Sequence, residues 1–274
     1  MRLKALLGDY PVTRALKAGE VSSSAVSFDF ADVKLPQNAF KRVVRDLEFD
    51  FAELALVTYL LAKAHGKPYR LLPAVVTARF QHPYLVCLKA GRLKAKDLEG
   101  KRIGQRSYSV TTATWIRGML MDEGVDLSAL RWVTFEDPHV AEFRDPPNVE
   151  RAAPGKEMIA MLLAGEIDAA IAGDIPKDER IVPVWPDPAA AADAWRAKNG
   201  AIQVNHMVAV RSDMPLDVSQ HIYSLLETSR AAAGNPEMNP FGLEDNRRNL
   251  EVAIDCVFRQ GMIPRRFTVE ELFA

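Results

Sequence analysis

Two histidines occupy similar places in the sequence, and their imidazoles could transfer a proton near neutral pH. His82 lies in the middle of the extended segment 78–87, and His206 lies in the middle of the extended segment 201–210. An imidazole pKa of about 6.5 lets histidine act as a general acid or base under ordinary conditions. A single histidine is usually structural, but two at matching positions of paired segments favour a functional role.

The other three histidines have less distinctive surroundings. His65 stands at the end of a predicted helix, His139 lies in an acidic loop and His221 belongs to an exposed helix. We interpret these three residues as structural or solvent-facing.

A hydroxyl-rich turn before a helix forms a second group of candidate residues. The pattern predicts a strand at 101–105, a polar turn at 106–109 and a helix from 110 onward with an apolar face. Free backbone N–H groups and the positive end of the helix dipole suit a small anion. An ordinary N-cap is the alternative, but five hydroxyl residues exceed what a cap needs. These residues are Ser107, Tyr108, Ser109, Thr111 and Thr112.

Further side chains could line the same site. Arg79 could hold a carboxylate through two N–H groups or form an ion pair with an acidic loop. Tyr10 follows the first predicted strand and is placed to line a cleft. Trp115 is more typical of a core residue than of a stacking wall. Arg117 beside it could face solvent, another lobe or the ligand.

The elements that must position these residues alternate between strand and helix patterns from end to end, which favours an α/β fold. Strands are predicted at 3–7, 25–30 and 71–77, and helices at 37–46, 54–65, 156–164, 189–198, 216–233 and 243–260. An α/β block between the two extended segments predicts two lobes joined by a two-stranded hinge. We expect residues 1–82 plus 206–274 in one lobe, 83–205 in the other, and a ligand in the cleft between them.

Composition excludes several classes of protein. The chain has 274 residues and a formal net charge of -1, which argues against a dedicated nucleic-acid surface. No apolar stretch approaches the length of a membrane span. Cys87 and Cys256 each lie in an apolar run and are expected to be buried thiols. No dinucleotide-binding, P-loop, nucleophile-elbow or zinc-spacing motif occurs, so we expect neither a cofactor nor a metal. His82 and His206 could still join a carboxylate around a divalent metal, although no spacing requires one.

The first residues resemble the first strand of the fold, with no basic and apolar leader before them. We therefore expect a cytoplasmic protein, or a periplasmic one if a signal peptide has been removed.

Several stretches resemble a known family. The segment 162–171, preceded by 97–104, is similar to the type II periplasmic-binding-protein fold. Four narrower stretches, 78–82, 112–118, 205–207 and a tail from 259 to 273, occur in an order that resembles the 4,5-dihydroxyphthalate decarboxylases.

The chain departs from that family's pattern near the expected cleft. Gln81 replaces a basic residue, Pro83 replaces a hydroxyl residue and Asn205 precedes the second histidine, while the stretch 173–200 is short. These departures leave the fold prediction unchanged and bear on the substrate.

The resemblance implies decarboxylation of a dihydroxylated aromatic dicarboxylate in which a histidine protonates the ring. In that interpretation His82, His206 and Arg79 are catalytic, and a small aromatic anion is bound between the lobes of a protein that could form a homodimer. The substrate-binding residues are Tyr10, Tyr108, Ser109, Thr111, Thr112, Trp115 and Arg117. One alternative is a solute receptor of a transport system for a small aromatic or heterocyclic anion. Another is a biosynthetic enzyme for a chorismate- or pyrimidine-like compound.

Overall fold

The computed structural model describes all residues from 1 to 274 and contains eleven strands and eight α-helices. The strands are β1 (Arg2–Leu6), β2 (Ser27–Phe30), β3 (Phe51–Ala55), β4 (Tyr69–Ala78), β5 (Leu85–Leu88), β6 (Arg102–Gln105), β7 (Arg131–Thr134), β8 (Val149–Arg151), β9 (Ala169–Ile171), β10 (Ile181–Pro183) and β11 (Val204–Arg211). The helices are α1 (Pro11–Lys17), α2 (Phe40–Val44), α3 (Leu56–Ala64), α4 (Thr111–Asp122), α5 (Met158–Leu163), α6 (Pro188–Asn199), α7 (Leu216–Ala232) and α8 (Leu243–Arg259).

The strands form two mixed sheets. The first has the order β2-β1-β3-β11-β4, in which β1 runs parallel to β2 and β3, and β11 runs antiparallel to β3 and β4. The second has the order β10-β5-β9-β6-β7-β8, with β6 parallel to its neighbours β7 and β9. The α/β class with two mixed sheets agrees with the prediction.

The chain passes between the sheets after β4 and again before β11. Every strand from residue 85 to 183 belongs to the second sheet, and all other strands belong to the first. Helix α8 follows the first sheet in sequence but packs on α4, where a Cβ added to Gly118 would lie 2.5 Å from Cys256 Sγ. Lobe boundaries at 82 and 206 therefore stay a prediction, and α8 is an element that links the two parts.

Several predicted elements have different bounds in the structure. The segment 54–65 is not one helix, because Leu54 belongs to the fully buried central strand β3 and α3 begins only at Leu56. The predicted helix 37–46 is a 3₁₀ turn at Pro36–Ala39 followed by the short α2. The segment 78–87 is not continuously extended, because β4 ends at Ala78 and a 3₁₀ turn covers His82–Tyr84. Pro83 lacks the N–H that a sheet ladder needs.

The main hydrophobic core contains 54 buried residues drawn from both sheets and the helices around them. Leu54 and Tyr59 come from the first part of the fold, Trp115 and Trp132 from the second, and Leu250 from α8. Cys87 and Cys256 are buried free thiols, as predicted. None of the helices combines the length and the apolar character that a membrane span requires.

Candidate active site

The carboxyl ends of parallel strands from the two sheets meet at one place. The loop after β1 leads into α1, β3 leads directly into α3, and the turn after β6 leads into α4. The N–H of Val57, at the start of α3, donates to Thr111 Oγ1, at the start of α4, over 3.3 Å. In sheets of this kind ligands bind outside the carboxyl ends of the strands, so this junction is the candidate site.

A buried carboxylate lies at the first-sheet side of the junction. Glu53 in β3 has no exposed surface, and its Oε2 accepts the N–H of Gly8 at 2.7 Å. Its Oε1 accepts the hydroxyl of Tyr10 at 2.7 Å and lies 2.5 Å from Nδ1 of His206. No Lys or Arg pairs with Glu53. The buried carboxylate therefore depends on its contacts with Gly8, Tyr10 and His206 to offset the loss of water.

Sequence reasoning missed Glu53 as a site residue. The signal was a single acidic residue inside a strand that is otherwise apolar, Phe-Ala-Glu-Leu-Ala at 51–55. Charged residues are rarely fully buried unless they are paired. Tyr10 was predicted to line the cleft, and the structure places its hydroxyl on this carboxylate. Burial first, and then Glu53, raise the pKa of Tyr10 well above its usual value, so the phenol stays protonated and donates.

The ring of His206 is held in a fixed orientation. Strand β11 places His206 opposite Ala55 of β3, and the ring stands edge-on to Phe40 with centroids 5.2 Å apart. Nδ1 is hydrogen-bonded to the Glu53 carboxylate, and Nε2 makes no hydrogen bond within the protein. Nε2 is therefore the nitrogen available to a substrate, an arrangement that suits proton transfer.

A third histidine, His139, contacts the same phenylalanine. It was predicted to be structural or solvent-facing, and the solvent-facing interpretation is wrong because only 4% of the residue is exposed. Its Nδ1 lies 2.8 Å from Thr58 Oγ1, and its ring stands edge-on to Phe40 with centroids 5.5 Å apart. Burial, followed by the charge of Arg106, lowers the pKa of His139 to about 3. No local signal in the sequence indicated this placement.

His82 lies in a different environment from His206. Its ring packs edge-on against Trp185 with centroids 5.3 Å apart, and its buried Nδ1 has no hydrogen-bond partner. Burial lowers the pKa of His82 to about 4, so the ring is neutral near neutral pH. The neighbouring Gln81 donates to Asn205 Oδ1 at 2.9 Å and thereby links the two crossing segments. No hydrogen bond or aromatic contact joins His82 to His206.

Arg79 lies where the chain leaves the first sheet. One Nη2–H donates to the carbonyl of Gly173, just after β9, at 2.8 Å. The guanidinium stacks on Tyr84 at 3.8 Å from the ring centroid. Arg79 forms no ion pair, so the acidic-loop alternative is wrong and Nε and Nη1 have no partner in the protein.

The start of α4 is buried but uncapped. No side chain caps the helix, and the backbone N–H groups of Thr111, Thr112 and Ala113 have no acceptor in the protein. Ser107 and Ser109 in the preceding turn are buried, and Ser107 Oγ has no hydrogen-bond partner. The simple N-cap alternative therefore fails. Unsatisfied donors at a buried helix start are suited to an anion.

Two predicted ligand contacts need correction. Arg117 is fully buried, and its Nε, Nη1 and Nη2 donate to Gln260 Oε1, Gln105 Oε1 and the Tyr108 carbonyl at 2.8, 2.7 and 2.7 Å. These bonds leave it facing neither solvent nor ligand, because its N–H groups are taken up by β6, by the turn before α4 and by the residue after α8. Trp115 is a core residue whose Nε1–H donates to the Val204 carbonyl at 3.0 Å.

Tyr108 is buried beneath the Arg117 guanidinium, which lies 3.7 Å from its ring centroid. Of the predicted substrate contacts at the start of α4, Ser109, Thr111 and Thr112 remain beside the uncapped helix end.

Comparisons with known proteins give the family. No family model matches the chain. The chain is 30% identical over 229 residues to 4,5-dihydroxyphthalate decarboxylase of Comamonas testosteroni, covering 78% of this chain and 69% of that protein. It is also 30% identical over 210 residues to 4,5-dihydroxyphthalate decarboxylase of Pseudomonas putida, covering 71% and 81%.

Solved structures with low sequence identity share the fold. The alkanesulfonate-binding protein SsuA of Xanthomonas axonopodis pv. citri, bound to MOPS, aligns with a TM-score of 0.58 at 13% identity over 99% of this chain and 97% of that chain. The aliphatic sulphonate-binding protein SsuA of Escherichia coli aligns with a TM-score of 0.58 at 11% identity over 100% and 96%. The fold is thus that of the periplasmic binding proteins, and from the sequence relatives the chain belongs to the 4,5-dihydroxyphthalate decarboxylase family.

Proposed function

We propose that this protein decarboxylates 4,5-dihydroxyphthalate or a closely related dihydroxylated aromatic dicarboxylate. The observation that carries the proposal is the pair of Glu53 and His206, in a chain that belongs to this family. The buried carboxylate orients the imidazole and leaves Nε2 directed away from it. Ring protonation needs an acid held in this way.

The reaction consumes one proton for each CO₂ that it releases. His206 Nε2–H delivers a proton to the ring carbon that bears the departing carboxylate, and the new C–H bond interrupts the aromatic system. The bond between that carbon and the carboxylate then breaks, its electron pair returns to the ring and CO₂ leaves. The products are CO₂ and the dihydroxybenzoate that keeps the second carboxylate, and His206 regains its proton from solvent.

Two groups have unpartnered donors that support the binding of the carboxylates. The uncapped start of α4 offers backbone N–H groups together with the Ser107 hydroxyl. Arg79 has free N–H groups and no acidic partner. Fixed donors in a buried site bind an anion without the reorganisation that water would require. His82 has no partner comparable to Glu53, so we assign the acid to His206, and a catalytic role for His82 stays a prediction.

The direct test measures CO₂ release from 4,5-dihydroxyphthalate by the purified protein. We expect release with one dihydroxybenzoate formed per CO₂, and a loss in His206→Gln on the order of 10²–10⁴-fold in rate. Tight binding of a hydroxylated aromatic acid with no CO₂ from any of them would instead support a solute receptor. A cytoplasmic location and a homodimer remain predictions that fractionation and light scattering can test.

A further inference from the structure

The segment between β7 and β8, residues 135–148, contacts elements of the first sheet. Arg45, just after α2, donates to the carbonyls of His139 and Pro138 at 2.8 and 2.5 Å. Lys67 pairs with Glu142 at 2.6 Å. These contacts hold the segment across the junction of the two sheets, so His139 reaches the candidate site from the sheet opposite to that of His206.

The His139 ring has one nitrogen engaged and one without a partner. Nδ1 lies against Thr58 Oγ1, whereas Nε2 makes no hydrogen bond in the protein. The two histidine rings both stand edge-on to Phe40, and no carboxylate pairs with His139 as Glu53 does with His206.

The two rings therefore differ in their charged neighbours, because a carboxylate contacts His206 and positive groups surround His139. The groups that act on His139 besides burial are Arg106, Lys41, His206 and Arg45, and all of them disfavour its protonation. Different environments can give two neighbouring titratable groups different roles. Here the neutral His139 ring suits a hydrogen-bond acceptor, and the ring of His206 paired with Glu53 suits an acid.

We propose that Nε2 of His139 accepts a hydrogen bond from a ring hydroxyl of the substrate, with Nδ1–H donating to Thr58. The inference rests on the proposed function and adds the group that recognises the hydroxyl. In 4,5-dihydroxyphthalate each carboxylate is para to one hydroxyl. When His206 protonates the carbon bearing a carboxylate, electron demand in the ring falls on the oxygen para to it.

The hydroxyl proton then becomes more acidic, and the hydrogen bond to His139 strengthens in the transition state. As CO₂ leaves, the C–C bonding electrons restore the ring and the hydroxyl keeps its proton. No net transfer to His139 occurs, so its role combines recognition with stabilisation that is greater in the transition state than in the ground state.

Binding of two ligands separates this inference from the proposed function. Calorimetry would compare 4,5-dihydroxyphthalate with phthalate, which lacks both hydroxyls, in His206→Gln protein, so that the substrate is not consumed during the titration. We expect this parent protein to prefer the dihydroxylated ligand, and the added change His139→Phe, which keeps an aromatic ring against Phe40, to reduce that preference roughly tenfold. Thr58→Val keeps the shape of the side chain but removes the acceptor for Nδ1–H of His139. It should therefore also reduce the preference for the dihydroxylated ligand.

The control is His65→Phe, which changes an exposed histidine at the end of α3 and should leave the ratio unchanged. The parent ratio retained in both folded variants would overturn the role of His139 while leaving decarboxylation by the wild-type protein intact. If the wild-type protein neither bound phthalate nor released CO₂ from 4,5-dihydroxyphthalate, the proposed function and this inference would fall together.

Discussion

At the scale of single residues, Glu53 gives the most direct test of the proposed acid. Glu53→Gln preserves the shape and an oxygen for the N–H of Gly8 but removes the charge beside Nδ1 of His206. We expect turnover to fall on the order of 10²–10⁴-fold, because the imidazole loses its partner and its fixed orientation. The pH profile of turnover should also change, which a purely structural role would not produce.

The matched control is Glu251→Gln on α8, where an exposed carboxylate contacts only Arg248. It should keep wild-type turnover and the wild-type pH profile. Unchanged turnover in folded Glu53→Gln would remove the carboxylate from the mechanism.

His82 should make the stability of the protein depend on pH. Burial lowers the pKa of His82 in the folded protein to about 4, whereas an exposed histidine in the unfolded chain titrates at about 6.5. Between these values the unfolded chain binds a proton that the folded protein does not. The free energy of unfolding is therefore highest above the unfolded pKa and falls as pH decreases through this window.

His82→Phe should flatten that decline, and urea unfolding at about pH 7 and about pH 5 would measure it. His139, whose pKa is lowered to about 3, still makes a similar contribution to the pH dependence in the variant. Some decline of the free energy of unfolding with falling pH should therefore remain. His65→Phe, at an exposed position, is the control and should leave the slope as it is. Equal slopes for wild type and His82→Phe would contradict burial of a neutral ring.

At the scale of elements, the start of α4 should bind an anion through groups that contribute little to folding. Ser107 Oγ is buried without a partner, so Ser107→Ala should leave the free energy of unfolding unchanged or slightly higher. The affinity for a phthalate-type anion should fall roughly tenfold, as expected for a lost hydrogen bond to a charged group.

Ser229→Ala in α7 offers the converse control. Ser229 is buried and its Oγ accepts the N–H of Leu16 at 3.2 Å. That variant should lose about 0.5–1.5 kcal/mol of stability and keep the wild-type affinity. If Ser107→Ala instead destabilised the protein without changing affinity, the hydroxyl would be structural. Thermal unfolding and calorimetry on the same samples give both quantities.

At the scale of the whole molecule, the shared core predicts cooperative unfolding. One cluster of 54 buried residues includes parts of both sheets and α8, so neither part retains its packing alone. All four tryptophans lie between residues 115 and 195, on the side of the second sheet. Tryptophan fluorescence therefore reports one part, and far-ultraviolet circular dichroism reports the whole chain.

We expect the two signals to follow a single urea transition with the same midpoint. Separate midpoints would show that the lobes unfold independently and that α8 does not couple them. Gly118→Val provides a further check, since its larger side chain would separate α4 from α8 at Cys256 and should lower the shared midpoint.

The sequence alone determined the class of fold and the family that the chain resembles. Alternating strand and helix patterns are local, because the side-chain period of each element follows from its own backbone geometry. The same reasoning located the helix α4 and its hydroxyl-rich turn within a residue or two, and it singled out His206. It misjudged 54–65, where the buried strand β3 runs without a break into α3 and no period marks the change.

Only the tertiary structure decided which side chains meet. Glu53 and His206 are 153 residues apart, and they pair because β11 lies between β3 and β4 in the sheet. His139 reaches Phe40 because the segment after β7 crosses to the other sheet. Arg117 is held away from the site because Gln105 of β6, the Tyr108 carbonyl and Gln260 accept its N–H groups. Such contacts depend on sheet order and helix packing over long separations, which local composition and periodicity do not encode.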